Sequence, residues 1–257
     1  MEQNTQVKCR SDAGPLSVSD RKALGRLGAL PPRAFFESRT EWVAPRLLGK
    51  VLVHRTPAGL LAGRIVETEA YLGPHNDPPD PAAHTHRGPT PRNRVIFGPA
   101  GHAYVYAIYG RYFCMNVTCE IEGQAGCVLL RALEPVGTSG LRQMALNRGI
   151  APGTAVRDLT SGPSRLCQAL DLTRLCHNGL DLLDPASPLQ LRDDGFKARK
   201  VLVTPRIGIK HAVDWPLRFA LPDHDCVSGP KAWSRTGSRT EPAKRPKGLV
   251  GRCIFIR

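Results

Sequence analysis

All five tyrosines of this 257-residue chain, Tyr71, Tyr104, Tyr106, Tyr109 and Tyr112, fall between positions 71 and 112. His84, His86, Arg87, Arg92, Arg94 and Arg111 share that window, and the stretch 81–119 contains no Asp or Glu. Aromatic faces interleaved with positive charge can stack nucleobases and hold a phosphate backbone beside them. The same pattern also suits a core of half-buried tyrosines. Just upstream, Glu67-Thr68-Glu69 sets two carboxylates at i and i+2, on one face of a strand. Glycoside hydrolysis commonly uses two carboxyl groups on opposite sides of the bond. Strand neighbours about 7 Å apart at the backbone, pointing the same way, cannot flank a sugar. One working carboxylate is therefore expected, with Glu67 read as a strand glutamate bonded to nearby amides. One is enough if the leaving group already carries positive charge, as an alkylated purine such as 3-methyladenine does. Two rivals stand beside this reading. His84-Thr85-His86 with Glu67 and Glu69 forms a credible ligand set for a metal-dependent hydrolase. A nucleic-acid-binding module without catalysis is the other.

The elements that must position these residues follow from periodicity and punctuation. Ser38 with Glu41 reads as a capping box for a helix over Trp42, Val43, Leu47 and Leu48, stopped by Gly49. Residues 51–54 and 60–69 read as strands joined through Thr56-Pro57-Ala58-Gly59, a hairpin that leaves Glu69 at a strand end. Residues 74–94 hold six prolines and no apolar period, so they form a long loop of the kind that usually serves function. Further strands are expected at 103–109, 113–119, 126–134, 201–209 and 217–221, and helices at 140–147 and 162–170. Strands outnumber helices and connect through hairpins, which predicts an α+β fold with an antiparallel sheet. Residues 1–32 are polar and irregular and read as a disordered N-terminal segment. The domain spans 33–228, and 229–257 reads as a basic, flexible tail.

Composition bounds the partners. Hydrophobic residues make up 41% of the chain, enough for one full core. The formal charge of +14 points to a polyanionic partner. Eight Lys/Arg against one Glu in 229–257 supply half of it. No window approaches the roughly 20 apolar residues of a spanning helix, and the first twenty residues lack a signal-peptide core. We expect a soluble, unexported monomer without membrane contact, cytoplasmic and associated with the nucleoid in a bacterium, nuclear in a eukaryote. Eight cysteines without a C-x-x-C pair read as buried thiols.

The runs Arg64-Ile-Val-Glu-Thr-Glu-Ala-Tyr-Leu-Gly73, Thr90-Pro-Arg-Asn-Arg94, Tyr104-Val-Tyr-Ala-Ile-Tyr-Gly110, Phe113-Cys-Met-Asn116, Val128-Leu-Leu-Arg-Ala-Leu-Glu-Pro135 and Ser161-Gly-Pro-Ser-Arg-Leu-Cys-Gln-Ala-Leu170 closely resemble the alkyladenine (3-methyladenine) DNA glycosylase family. The likeness runs in order from about Leu47 to Ser228. It implies a single mixed domain around a curved, mainly antiparallel sheet with peripheral helices, acting on double-stranded DNA without metal or nucleotide cofactor. It further implies that damaged purines are flipped out of the duplex and released by water, which starts base excision repair. Glu69 matches the general base, and Arg131 the arginine that helps place the water and the flipped nucleotide's phosphate. Tyr71 and His84 match one wall of the base pocket and Tyr106 the stacking face opposite. Asn116 matches the residue that crowds a purine 2-amino group, Leu129 lies near the pocket floor, and Tyr109 matches the wedge that enters the duplex. Arg92, Arg94 and Arg111 are expected to face the DNA backbone. No lysine lies near these motifs, which suits water as nucleophile over a Schiff-base lyase. The chain departs from the family in a longer 72–83 loop before His84 and in Arg111, where an apolar residue is common.

Overall fold

The computed structural model describes residues 18–229, Ser139 excepted. The strands are β1 (Val51–Thr56), β2 (Gly59–Tyr71), β3 (Ala103–Ile108), β4 (Tyr112–Cys119), β5 (Gly126–Pro135), β6 (Leu189–Arg192), β7 (Leu202–Thr204) and β8 (Arg218–Ala220). All pair antiparallel, in the order β3-β4-β5-β2-β1-β6, with β8 bonded to β2 and β7 to β8. Helices α1 (Val18–Arg26), α2 (Thr40–Arg46), α3 (Leu141–Arg148), α4 (Val156–Thr160), α5 (Pro163–Ala169) and α6 (Arg174–His177) surround this curled sheet. The fold is the single α+β domain expected from the sequence.

Strand alternation separates core from site. On β4, Met115, Val117 and Cys119 enter the main core; on β5, Val128, Leu130 and Ala132 do so, with Ala103 and Val105 of β3. The intervening residues fall on the opposite face, where Tyr104, Cys127, Tyr71 and Tyr106 join a separate cluster. β2 is the spine: β5 pairs with residues 63–71 on one edge, while β1 and then β8 share the other. Its register against β5 slips between Ile65 and Thr68. Bulges of this kind re-aim side chains, and the slip leaves Arg131 out of the regular pairing, opposite Glu67 and Thr68.

The structure departs from the sequence reading in four places. Residues 18–26 form α1, whose buried Leu24 packs with Val51, Val53 and Ala62, and Ala29 bridges Asp193, so order begins well before Arg33. Ser38 caps nothing: the N-cap of α2 is Arg39 without a side-chain bond. The distant Glu120 carboxylate instead accepts from Thr40 N at 3.2 Å and Thr40 Oγ1 at 2.6 Å. A carboxylate suits the positive end of a helix wherever in the chain it comes from. The strand expected over 201–209 stops at Thr204, because Pro205 lacks the N–H to continue a ladder. Finally, β6, α4 and α6 are short elements whose few residues carry no readable period. The tail from residue 230 lies outside the described residues.

Candidate active site

The sheet register brings the candidate residues together. Tyr104 pairs with Asn116, Asn116 with Leu129, Leu129 with Glu69, and Glu69 with Arg218, one continuous row across β3, β4, β5, β2 and β8. Residues directly opposite in neighbouring strands share a face, and Tyr104, Asn116 and Leu129 of this row form the floor of a cavity of about 480 Å³, with Glu69 and Arg218 outside its lining. Tyr71, His84, Tyr106, Asn116, Leu129 and Arg131 all line it, with Tyr109 at its edge. His84 arrives from the long loop, which the buried Asn93 pins by donating to His84 O and Gly88 O. The imidazole packs edge-on to Tyr106, at 4.6 Å and 78°, and its Nδ1 lies 3.0 Å from the Tyr104 hydroxyl. Partial burial and the nearby Arg92 push its titration below the ordinary histidine range.

Glu69 is fully buried beneath this floor. Its Oε2 accepts from the Tyr71 hydroxyl at 2.8 Å, and its Oε1 accepts from Ile207 N at 2.8 Å with Arg131 Nη1 at 3.2 Å. Burial, reinforced by Glu69, raises the Tyr71 phenol well above its usual range, so it stays a donor. Burial likewise raises Tyr106, and lifts Tyr104 to about 12.

Glu67 has a different occupation. It accepts from Arg131 Nε at 2.8 Å, Arg218 Nε at 2.6 Å, Ser228 N at 2.7 Å and Ser228 Oγ at 3.0 Å. Burial disfavours its charge, but Arg131 and Arg218 hold its carboxyl below the ordinary range. It is the anchor that orients Arg131, whose own charge is held against burial by Glu69 and Glu67. The rival metal set does not assemble: among the described residues no three His, Cys, Asp or Glu side chains converge as ligands. Both glutamates are committed to arginines instead.

Asn116 Oδ1 accepts from the Cys127 thiol at 3.6 Å, while its buried Nδ2 has no hydrogen-bond partner among the described residues. Tyr109 stands 90% exposed at the tip of the β3–β4 hairpin with a left-handed φ of 49°, followed by Gly110 at 71°. A bulky residue in that region is strained by about 1–2 kcal/mol. Of the arginines expected at the backbone, Arg92 is exposed and lines the cavity with its guanidinium 5.5 Å from the Tyr106 ring centroid. Arg94 and Arg111 are exposed outside it, with Arg111 over Tyr112 at 4.7 Å. Tyr104 lines the cavity on the same face as Tyr106, whereas sequence reasoning missed Cys114 and Cys127 on the walls and the 207–209 segment that closes one side. Pro205 was the available clue to the last. Among the described residues Cys114, Cys119, Cys127, Cys167 and Cys226 are free and buried, whereas Cys176, against the reading of all eight as thiols, is disulfide-bonded.

The profile of the methylpurine-DNA glycosylase family matches residues 34–225. The chain is 50% identical over 209 residues to a candidate 3-methyladenine DNA glycosylase of Koribacter versatilis, covering 81% of this chain and 97% of the relative. A protein of the same name from Burkholderia lata is 46% identical over 204 residues (79% and 93%), and one from Methanoculleus marisnigri 48% over 201 (77% and 97%). The matched span contains β1 to β8 and every residue of the cavity, so the chain belongs to the methylpurine-DNA glycosylase family.

Proposed function

We propose that this chain is a monofunctional DNA glycosylase that flips an alkylated purine into the aromatic cavity and hydrolyses its N-glycosidic bond with a water held by Glu69. The observation that carries it is the setting of Glu69. A buried carboxylate lies directly behind the wall of a base-sized cavity, with Tyr71, Ile207 and Arg131 fixing its orientation. Each carboxylate oxygen can accept two hydrogen bonds, and among the described residues Oε2 accepts only from Tyr71. Its remaining lone pair suits a water proton. As the cationic base departs, taking the glycosidic electron pair and becoming neutral, the sugar gains oxocarbenium character. Water attacks C1′ and Glu69 takes the proton.

The other roles follow from position. Tyr71 on one side and Tyr106 on the other would sandwich the base, with His84, edge-on to Tyr106 at 4.6 Å, bounding it at the side. The free Asn116 N–H donor would meet the donor of a guanine 2-amino group, an unfavourable pairing that disfavours guanine. Tyr109 would fill the gap left in the duplex. Among the described residues no lysine lines the cavity, which supports water as nucleophile.

Single-turnover assays on duplexes carrying 3-methyladenine or 7-methylguanine, in EDTA, test the reading. The expected product is free base and an unbroken strand with an abasic site. Strand cleavage through a borohydride-trappable intermediate, or loss of activity in EDTA, would refute it.

A further inference from the structure

Behind the Tyr71 wall lies a fully buried ion pair that the hydrolytic chemistry does not require. Arg206 Nη1 donates to Asp80 Oδ2 at 2.5 Å and to Ala70 O at 3.0 Å, and Nη2 donates to Asp80 Oδ1 at 2.9 Å. Both side chains have no solvent exposure. The guanidinium carbon sits 4.6 Å from the centroid of the Tyr71 ring. Tyr71 lines the cavity and Arg206 does not, so the charge lies on the far face of the ring from the base. Asp80 belongs to the lengthened 72–83 loop and also accepts from Leu72 N at 3.1 Å and Ala82 N at 3.0 Å.

We propose that Asp80 sets the preference of the pocket for cationic over neutral purines by cancelling the charge of Arg206 behind Tyr71, an inference that rests on the glycosylase reading above. A stacked base would lie about 3.5 Å beyond the ring. An unbalanced guanidinium would then repel a cationic base across the ring strongly enough, in a buried setting, to change its binding by a factor on the order of ten. A neutral base would not feel this. Glu67, Glu69, Arg131 and Arg218 balance one another nearby, so Asp80 is the group that neutralises Arg206. If the pair only tied the loop to the sheet, breaking it from either side would slow all lesions alike.

The test is single-turnover release of 7-methylguanine, which is cationic, and hypoxanthine, which is neutral, from otherwise identical duplexes by the full-length protein. Asp80→Asn leaves Arg206 unbalanced, and the 7-methylguanine to hypoxanthine rate ratio should fall roughly tenfold. Arg206→Gln leaves Asp80 unbalanced, and the ratio should rise. The combined Asp80→Asn and Arg206→Gln protein should return the ratio to its wild-type value even if both rates drop. This neutral pair is the variant best suited to fold, since removing a single partner is what destabilises a buried pair. Equal slowing of both lesions in the two single variants, or a ratio in the combined variant displaced from wild type, would overturn the proposal. Wild-type protein that releases neither of these bases nor 3-methyladenine would instead refute the glycosylase reading, before any substitution is made.

Discussion

At the scale of single residues, two neighbouring glutamates separate by what donates to them. Glu67 takes two arginines and Ser228, whereas Glu69 keeps capacity for a further donor. That difference was partly legible in the sequence, because i and i+2 carboxylates cannot flank a sugar and one had to be structural. The identity of the partners was not, since Arg218 and Ser228 come from far along the chain. Asn116 offers a specific check. Asn116→Ala removes the unpartnered Nδ2 donor, so release of undamaged guanine should rise on the order of tenfold while release of alkylated adenine changes little. Unchanged guanine release would mean that Asn116 only packs against Cys127.

At the scale of elements, the β3–β4 hairpin stores strain where it carries Tyr109. Tyr109→Gly should raise the unfolding free energy by about 1 kcal/mol, because glycine adopts the left-handed backbone freely. The same variant should weaken flipping, read as a smaller fluorescence change from a lesion analogue. Stability and flipping that move together would remove the wedge role. A second element-scale test concerns β1 and α6. His54 Nδ1 donates to Leu170 O at 2.7 Å, and its Nε2 lies 3.1 Å from His177 Nε2. Burial, with His177 beside it, pushes His54 down to about 4. Its folded-state pKa lies below the unfolded value near 6.5, so the unfolded chain binds the proton first. Stability should be full above about pH 6.5 and fall by up to about 3 kcal/mol as pH drops toward 4. The urea midpoint measured across that window should fall, and His54→Gln should flatten the slope. The hairpins, the long loop and the helices at α3 and α5 were legible from turn residues and period. The α2 cap was not, because Glu120 lies 80 residues from Thr40. Nor was the end of β7 read, although Pro205 marks it.

At the scale of the whole molecule, the sheet turns three period-2 strands into two surfaces, one facing the core and the other flooring the cavity. The chain carries a formal charge of +14, while beside the cavity Glu67 and Glu69 pair with Arg131 and Arg218, and Asp80 with Arg206. The excess is left for phosphate. Truncation after Ser228 removes half of it and should flatten the dependence of log Kd on log salt, by about 1 in slope for each phosphate the tail neutralises. An unchanged slope would mean that the tail does not touch DNA. The central claim, however, concerns one carboxylate. Single-turnover release of 7-methylguanine by Glu69→Gln, alongside lesion-duplex affinity at the same salt, tests it most directly. Amide for carboxylate keeps the size and the Tyr71 contact but cannot accept the water proton. Base release should fall by at least about 100-fold with affinity nearly unchanged, and turnover equal to wild type would contradict the assignment of Glu69 as the base.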